Sequence, residues 1–233
     1  MRTGIPELPE PRRRLSRVSE WKVWCLGIAI LVFLAFGVDA SLVAWFKGRE
    51  TPGLKVLAEA ISRVGDFPVL VGVSLLGMSG FWKLGWRRAC RVMRLMLIAS
   101  VLSGGVTNGV RYLTGRARPV AKVAPGWYGP RAAFRGGSAH KFHSFPSAHT
   151  ACLAGFLFPL VMLRRRRRMR LAATLALILT LSMAWSRMYH KVHHLSDVLA
   201  GIWVGSVSAL LVCGMPPRSG LGAVSSRKTV SAG

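Results

Sequence analysis

Residues 21–46, WKVWCLGIAILVFLAFGVDASLVAWF, form a long apolar run that decides the fold class of the chain. A helix needs about 20 mostly apolar residues to cross the hydrocarbon core of a bilayer. The run follows a basic segment, as the apolar part of a signal peptide does, but it is much longer than such a part and further apolar runs follow it. We therefore interpret it as a retained first membrane span.

Five more apolar runs follow, separated by polar and arginine-rich stretches, at residues 67–82, 95–110, 148–163, 171–185 and 195–213. Some are shorter than about 20 residues, so we expect their helices to extend into flanking polar residues or to lie in a locally thin bilayer. Because a membrane-crossing backbone must satisfy its own hydrogen bonds, this pattern predicts an all-α, polytopic membrane protein. It has about six transmembrane helices in one domain, residues 21–213.

The formal net charge of +25 is the second bulk feature of the chain. Clustered Lys and Arg residues are typical of nucleic-acid-binding proteins, but no nucleic-acid motif accompanies them here. They lie between the apolar runs, a placement that fixes membrane topology and attracts anionic lipid head groups. We therefore expect an anionic bilayer as the partner of these charges and no nucleic acid. The oligomeric state stays open.

The Lys and Arg residues also predict the orientation of the chain. Basic residues occur in the N-terminal segment 1–20, the connections 83–94 and 164–170, and the tail 214–233. Six spans place all four on one side, which is then cytoplasmic by the positive-inside rule. The tail is rich in Pro, Gly, Ser and basic residues and is predicted to be disordered. In a bacterial inner membrane the opposite loops face the periplasm; since the loop 111–147 is also basic, the inverted topology remains an alternative.

A short helix is predicted at residues 52–64, within the first outer loop. Thr51 and Pro52 form a suitable helix start, and Leu54, Leu57 and Ile61 recur at helical spacing. This helix lies either in the membrane interface or packed within the loop.

The distribution of titratable residues indicates the chemistry. All six histidines lie between His140 and His194, and Asp197 is the only carboxylate after Asp66. A carboxylate-rich metal site is therefore hard to build, whereas histidine chemistry with one orienting acid is easy to build. The four cysteines lie far apart without CxxC spacing, so they indicate neither a zinc site nor a disulfide framework. We predict no metal and no cofactor.

Three segments on the predicted outer side carry this chemistry. The first is RYLTGRARP, residues 111–119. If it is helical, Arg111 and Arg118 lie two turns apart on one face and can grip the same anion, since guanidinium groups donate paired hydrogen bonds to phosphate oxygens. The alternative is an interfacial arginine cluster that anchors the protein to lipid head groups.

The second segment is FPSAH, residues 145–149, at the start of the fourth span. Exposed amides at a helix N-terminus, together with the Ser147 hydroxyl, form an anion site, and His149 would lie beside the bound anion. The alternative is that Ser147 is a helix cap and His149 an interfacial histidine.

The third segment runs from Ser186-Arg187 to His193 and Asp197. If His193 and Asp197 are one helical turn apart, the carboxylate can accept a hydrogen bond from one imidazole nitrogen and leave the other free to attack. Asp197 lies inside an apolar run, where ionisable residues usually have a function. The alternative is a polar contact that ties two helices together.

Taken together, the three segments resemble the signature of the type 2 phosphatidic acid phosphatase (PAP2) superfamily. That signature is a basic residue, six residues and Arg-Pro; then Pro-Ser-Gly-His; then Ser-Arg, five residues, His, three residues and Asp. The match covers residues 111–197 in the same order. Arg111 stands where the family usually has lysine, and Ala148 stands where it usually has glycine.

The resemblance implies a PAP2-type helical bundle and a two-step phosphoryl transfer without a metal. His193 would be the nucleophile that forms a phosphohistidine, His149 the general acid and then the base, and Asp197 the residue that orients His193. The phosphate-binding residues would be Arg111, Arg118, Ser147, Ala148 and Arg187.

The same resemblance implies an integral membrane lipid phosphatase with its active site facing the periplasm. The candidate substrates are undecaprenyl diphosphate, phosphatidylglycerol phosphate, phosphatidic acid and a lipid A phosphate. Two alternatives remain at this point: a lipid phosphotransferase with the same site, and a non-catalytic membrane protein that binds anionic lipid.

Overall fold

The computed structural model of the chain describes residues 12–134, 136–162 and 167–214, and within them it is helical without strands, as predicted. The helices are α1 (Arg12–Phe46), α2 (Pro52–Val64), α3 (Phe67–Lys83), α4 (Arg87–Thr114), α5 (Gly129–Ala133), α6 (Ala148–Met162), α7 (Arg167–Tyr189) and α8 (Leu195–Gly214). A 3-10 turn covers Gly136–Phe142. The six apolar runs correspond to α1, α3, α4, α6, α7 and α8.

By length and composition, four of the described helices can cross a membrane: α1 from Val23, α4, α7 from Arg170, and α8. Helices α2 and α3 meet at an angle of 52° and pass the same test only as a pair. Helix α6 is apolar but has only 15 residues. The runs 95–110 and 171–185 extend into flanking polar residues in α4 and α7, as expected, whereas 67–82 and 148–163 form the short helices α3 and α6. About six spans remain consistent with the structure.

Helix α6 occupies the middle of the bundle, packed against α4, α7 and α8, and most of its residues are buried. Glycines allow the close approach of α8. A Cβ added at Gly205 would lie 2.6 Å from the carbonyl oxygen of Ala151, and one added at Gly201 would lie 2.6 Å from that of Ser147. Small residues at helix contacts let membrane helices pack backbone to backbone. The start of α6 is therefore held directly against α8.

Helix α2 is confirmed at the predicted bounds. Thr51 caps it by accepting a hydrogen bond from the amide of Leu54 at 3.4 Å. One face packs on α7, where the Ser186 hydroxyl donates to the carbonyl of Ala58 at 2.6 Å. The helix therefore supports α7, and its placement in a membrane interface stays a prediction.

Parts of the predicted terminal segments lie outside the described residues. Helix α1 begins at Arg12, inside the segment predicted as 1–20, but residues 1–11 are outside the description. Residues 163–166, between α6 and α7, and the tail after residue 214, which was predicted to be disordered, also lie outside the described residues.

Candidate active site

The ends of four helices form one polar end of the bundle. They are the C-termini of α4 and α7 and the N-termini of α6 and α8. The connection from α4 to α6, which contains α5 and the 3-10 turn, lies at the same end. Every residue that the sequence assigned to chemistry lies on these helix ends or on the segments between them.

His193 lies between α7 and α8 and is only 1% exposed. Its Nδ1 donates to the carbonyl oxygen of Ser144 at 2.7 Å. Its Nε2 is buried and has no hydrogen-bond partner in the described part of the chain. Burial lowers the pKa of His193 to about 3 although Asp197 opposes this shift, so the ring is neutral at physiological pH. The lone pair is therefore on Nε2, the nitrogen able to attack.

Asp197 is wholly buried in the first turn of α8. Its Oδ2 lies 3.7 Å from Nδ1 of His193, too far for a hydrogen bond, so the predicted direct bond is not formed in the structure. The reason is that α8 begins at Leu195, and His193 is therefore not on its helical face. Oδ2 accepts the Ser144 hydroxyl at 2.5 Å and the His194 amide at 2.7 Å. Asp197 thus reaches His193 through Ser144.

Arg116 is a buried site residue that the sequence did not single out. Its Nη1 donates to Asp197 and to Ser196, both at 2.6 Å, and its Nη2 donates to Asp39 on α1 at 2.7 Å. Asp39 offered a signal, because an ionisable residue inside an apolar run needs a partner. The partner itself could not be predicted from local spacing.

Arg111 and Arg187 lie in the last turns of α4 and α7. Nε of Arg111 donates to the carbonyl of Pro146 at 2.8 Å, and Nη1 of Arg187 donates to the Ser62 hydroxyl on α2 at 3.1 Å. Each guanidinium is therefore fixed by one hydrogen bond and keeps other donors for a ligand.

Arg118 reaches the site by another route than the predicted one. Helix α4 stops at Gly115, which adopts the left-handed conformation with φ 56°, so the prediction of two helical turns between Arg111 and Arg118 is wrong. The backbone amide of Arg118 donates instead to the carbonyl of Lys141 at 2.8 Å. Its charge still acts on Arg111 and Arg187, and burial lowers the pKa of Arg118 itself. The three predicted arginines are therefore brought together.

Ser147 and Ala148 form the start of α6. The Ser147 amide donates to the carbonyl of Asp197 at 2.9 Å, and its hydroxyl shares a hydrogen bond with that of Thr150 at 3.0 Å. The Ser147 amide is thus engaged inside the protein, while its hydroxyl keeps its donor whenever Thr150 donates to it. The first hydrogen bond of the helix runs from Ala151 to Ser147, so the three amides after Ser147 lie at the open helix start, where anions bind favourably.

His149 contacts a carboxylate that the sequence did not link to it. Its Nε2 is 2.9 Å from Oδ1 of Asp66, at the corner between α2 and α3. The two residues are separated by 83 positions, so only tertiary packing brings them together. The available signal was the position of Asp66 as the last carboxylate before Asp197.

Unpaired polar atoms mark the centre of the site. Six buried side-chain atoms of the described residues have no hydrogen-bond partner. Four of them belong to Arg111 (Nη2), Arg118 (Nε), Arg187 (Nε) and His193 (Nε2). Buried donors without partners are costly, so they indicate a ligand that completes them. Three cationic donors and one lone pair, on residues whose charges act on one another, fit an anion with several oxygens, such as a phosphate.

A cavity of about 400 Å³ borders His149 and Ala148. Its other lining residues come from the α2–α3 corner, α4 and α6: Gly65, Phe67, Val101, Gly104, Gly105, Asn108 and Cys152. Val101 and Phe67 are 50% and 42% exposed on the outside of the bundle, the surface that lipid would contact. The cavity therefore connects His149 with an apolar surface of the bundle.

Two of the remaining histidines contact the surrounding segments. Nε2 of His143 contacts the carbonyl of Ala133 at 2.9 Å, and Nδ1 of His194 contacts Asp197 at 3.1 Å. Burial lowers the pKa of His190. No group of three or more His, Cys, Asp or Glu side chains in the described ranges is arranged to hold a metal ion.

Comparison with known families gives a match over more than half of the chain. The sequence profile of the PAP2 superfamily matches residues 93–220, which include all three chemical segments. Two curated relatives, from Rhizobium johnstonii and Rhizobium etli, are lipid A 1-phosphatases. Both are 30% identical to the chain and match 84% of it, which corresponds to 80% and 86% of their own lengths.

Solved structures share the fold. The transmembrane PAP2-type phosphatidylglycerolphosphate phosphatase of Bacillus subtilis superposes with a TM-score of 0.58 at 17% identity, over 82% of this chain and 94% of that one. LpxE of Aquifex aeolicus gives a TM-score of 0.55 at 15% identity, over 76% of this chain and 96% of that one. At these identities the likeness supports the architecture and not a substrate.

Proposed function

The chain belongs to the PAP2 superfamily and is a membrane lipid phosphatase, and we propose that His193 removes the phosphate through a covalent phosphohistidine. One observation carries the proposal. Nε2 of His193 and one buried donor on each of the three arginines, Arg111, Arg118 and Arg187, have no hydrogen-bond partner among the described residues, and the charges of Arg111 and Arg187 act on His193. A nucleophile beside three cationic donors is the arrangement that phosphoryl transfer needs.

In the first step, Nε2 of His193 attacks phosphorus and forms a P–N bond while the P–O bond to the lipid breaks. His149 gives its proton to the departing lipid oxygen. The three arginines stabilise the charge on the other phosphate oxygens, which is the larger share of catalysis in this reaction.

In the second step, His149 acts as a base and takes a proton from water. The water oxygen bonds to phosphorus, and the P–N bond breaks with its electron pair returning to Nε2 of His193. Inorganic phosphate leaves, and both histidines regain their starting states.

Among the candidate substrates we favour a lipid A 1-phosphate. The support is that both curated relatives matched along most of the chain are lipid A 1-phosphatases. The cavity beside His149 is consistent with any lipid leaving group, because it connects the proton donor to the lipid-facing surface. Undecaprenyl diphosphate, phosphatidylglycerol phosphate and phosphatidic acid are the comparison substrates.

We also propose that the site faces the periplasm and that both termini are cytoplasmic. The basic connection 83–94 lies at the opposite end of α4 from Arg111, which agrees with the positive-inside rule. A reporter that is active only outside the cytoplasm, fused after Val123, should be active. If a reporter that is active only in the cytoplasm is active at the same position, the orientation is the inverse of the proposed one.

The function is tested with purified full-length protein and a panel of the four lipids, with EDTA present. Wild type should release phosphate. The rate of release should fall about a thousandfold or more in His193→Ala and about a hundredfold in His149→Ala. Phosphate release by His193→Ala at the wild-type rate would refute the mechanism. Product formation that requires an added lipid acceptor would indicate the phosphotransferase instead.

A further inference from the structure

We infer that Asp66 is a positioning residue for His149, holding the proton of Nε2 so that Nδ1 exchanges its proton with substrate and water. The inference rests on the proposed function, because it concerns the group that protonates the lipid oxygen. No direct contact of Asp66 with the substrate is required.

The geometry of the α2–α3 corner carries the inference. Asp66 occupies the N-cap position of α3, where an Asp side chain commonly accepts a hydrogen bond from a backbone amide of the first turn. Here its side chain makes no such bond. The 52° bend between α2 and α3 brings the carboxylate to His149, where Oδ1 lies 2.9 Å from Nε2. The side chain thus forms a hydrogen bond with His149 and not with the backbone of its own helix.

The charges around His149 indicate what its contact with Asp66 does. Arg187 on α7 and Arg111 on α4 are the positive charges that act on His149, and like charge repels its imidazolium form. Asp66, on the α2–α3 corner, favours it through charge and hydrogen bonding. It is the only carboxylate among the principal groups that act on His149. Asp66 therefore counters part of the repulsion that the phosphate-binding arginines impose on the proton donor.

The contact also selects the tautomer. A carboxylate accepts only, so Nε2 keeps its proton whenever the contact is made. In the first step the imidazolium loses its Nδ1 proton to the lipid oxygen and becomes the neutral Nε2–H form. That form presents the Nδ1 lone pair to water, takes one proton from it and returns to the imidazolium. Without Asp66 the neutral ring can carry its single proton on either nitrogen. The Nδ1 lone pair is then no longer always available to water.

Kinetics of three variants test the inference. Asp66→Asn keeps an oxygen acceptor and removes the charge, Asp66→Ala removes both, and Asp66→Glu restores the charge on a longer chain. Glu59→Gln is the matched control, because Glu59 is exposed on α2 and its ion pair with Arg63, at 3.3 Å, is exposed as well. We expect kcat to fall about tenfold in Asp66→Asn and further in Asp66→Ala, with KM nearly unchanged and partial recovery in Asp66→Glu.

The pH profile separates positioning from a merely structural role. Because the carboxylate favours the imidazolium, the alkaline limb of kcat should lie at lower pH in Asp66→Asn than in wild type and Glu59→Gln. An Asp66→Asn protein with the kcat and the alkaline limb of Glu59→Gln would overturn the inference.

A second measurement does not depend on turnover. Diethylpyrocarbonate modifies unprotonated imidazole, and mass spectrometry locates the modified residue. At the same pH, His149 should react faster in Asp66→Asn than in wild type and Glu59→Gln; equal rates would contradict the inference. If His149 reacts as expected but wild type releases no phosphate from any lipid, the proposed function fails and the Asp66 contact stands.

Discussion

Arg111 is the residue at which the chain departs from the lysine that is usual in its superfamily, and the structure gives the arginine two tasks. Its Nε donates to the carbonyl of Pro146 at 2.8 Å, which ties the end of α4 to the segment before α6. Its Nη2 remains buried and unpaired beside the other two arginines. A lysine has one nitrogen and cannot perform both tasks in this geometry.

Arg111→Lys should therefore lower kcat/KM for phosphate release by about tenfold, since a hydrogen bond to a charged group contributes about 1.5–3 kcal/mol. Most of the change should be in KM, because the charge in the site is retained but one fixed contact is lost. The control is Arg63→Lys, on the exposed face of α2. A KM equal to that of the control would show that the tie to Pro146 has no role in binding.

His193 gives a prediction on the pH dependence of stability. Burial lowers its pKa to about 3 in the folded protein, whereas an unfolded histidine titrates near about 6.5. Between these values the unfolded state binds the extra proton, so the free energy of unfolding decreases as the pH falls, by up to about 1.4 kcal/mol per pH unit.

The measurement is the thermal midpoint of wild type and His193→Gln in detergent at pH 7.5 and at pH 5. Wild type should lose more stability between the two values than His193→Gln, since glutamine does not titrate. If both proteins lose the same amount, the folded His193 is not held neutral.

Residues that belong to fixed local spacings could be predicted from the sequence, and those defined by tertiary contacts could not. The spacing from Arg187 through His193 to Asp197 brought all three to one end of the bundle. It did not predict that Ser144 stands between His193 and Asp197, because that contact joins residues 49 positions apart. Asp66 was missed for the same reason.

At the scale of elements, the start of α6 is positioned by its contact with α8. Gly205 has no room for a side chain, because an added Cβ would lie 2.6 Å from both the carbonyl of Ala151 and the amide of Gly155. These are backbone atoms, so the helices must separate to accept even a methyl group. The distance between α6 and α8 then changes at the end that carries His149.

Gly205→Ala should therefore destabilise the protein by about 1–3 kcal/mol and lower kcat together with stability. Gly72→Ala on α3 is the matched control, because an added Cβ there meets nothing within 4 Å. Thermal unfolding in detergent measures the first effect and phosphate release the second. Equal midpoints for the two variants would show that α6 and α8 are not in tight contact.

The sequence predicted the helical elements well, because apolar runs separated by basic stretches leave few alternatives in a bilayer. It failed where a helix ends early. Arg111 and Arg118 were placed on one helix, yet α4 stops between them at Gly115, where an added Cβ would lie 2.2 Å from the carbonyl oxygen of Gly129. A glycine within a short basic segment did not by itself indicate which side of it was helical.

At the scale of the whole molecule, one buried polar network joins the first helix to the last. Asp39 on α1 accepts from Arg116 at 2.7 Å and from the amide and hydroxyl of Ser196 at 3.0 and 2.5 Å. Arg116 also donates to Asp197 at 2.6 Å. Helix α1 contributes no residue to the proposed chemistry, but through this network it sets the position of the carboxylate that holds Ser144.

Asp39→Ala should therefore affect both stability and catalysis. Removing one partner of a buried ion pair costs about 3–5 kcal/mol, because the charge on the other partner remains buried. Arg116 keeps Asp197 as its partner, so we expect the lower end of this range, with a loss of kcat as Asp197 and Ser144 shift. Ser41→Ala is the control, since Ser41 is exposed on the same helix.

A double-mutant cycle distinguishes a true network from general damage to α1. Once Asp39 is alanine, Arg116→Met removes a charge that has already lost one partner, so the combined loss in thermal stability should be smaller than the sum of the two single losses. We expect a coupling energy of at least about 1 kcal/mol, as is usual for residues in one hydrogen-bonded network. Additive losses would mean that Asp39 stabilises α1 independently of Arg116, and the position of Asp197 would then depend on α8 and the segment before α6 alone.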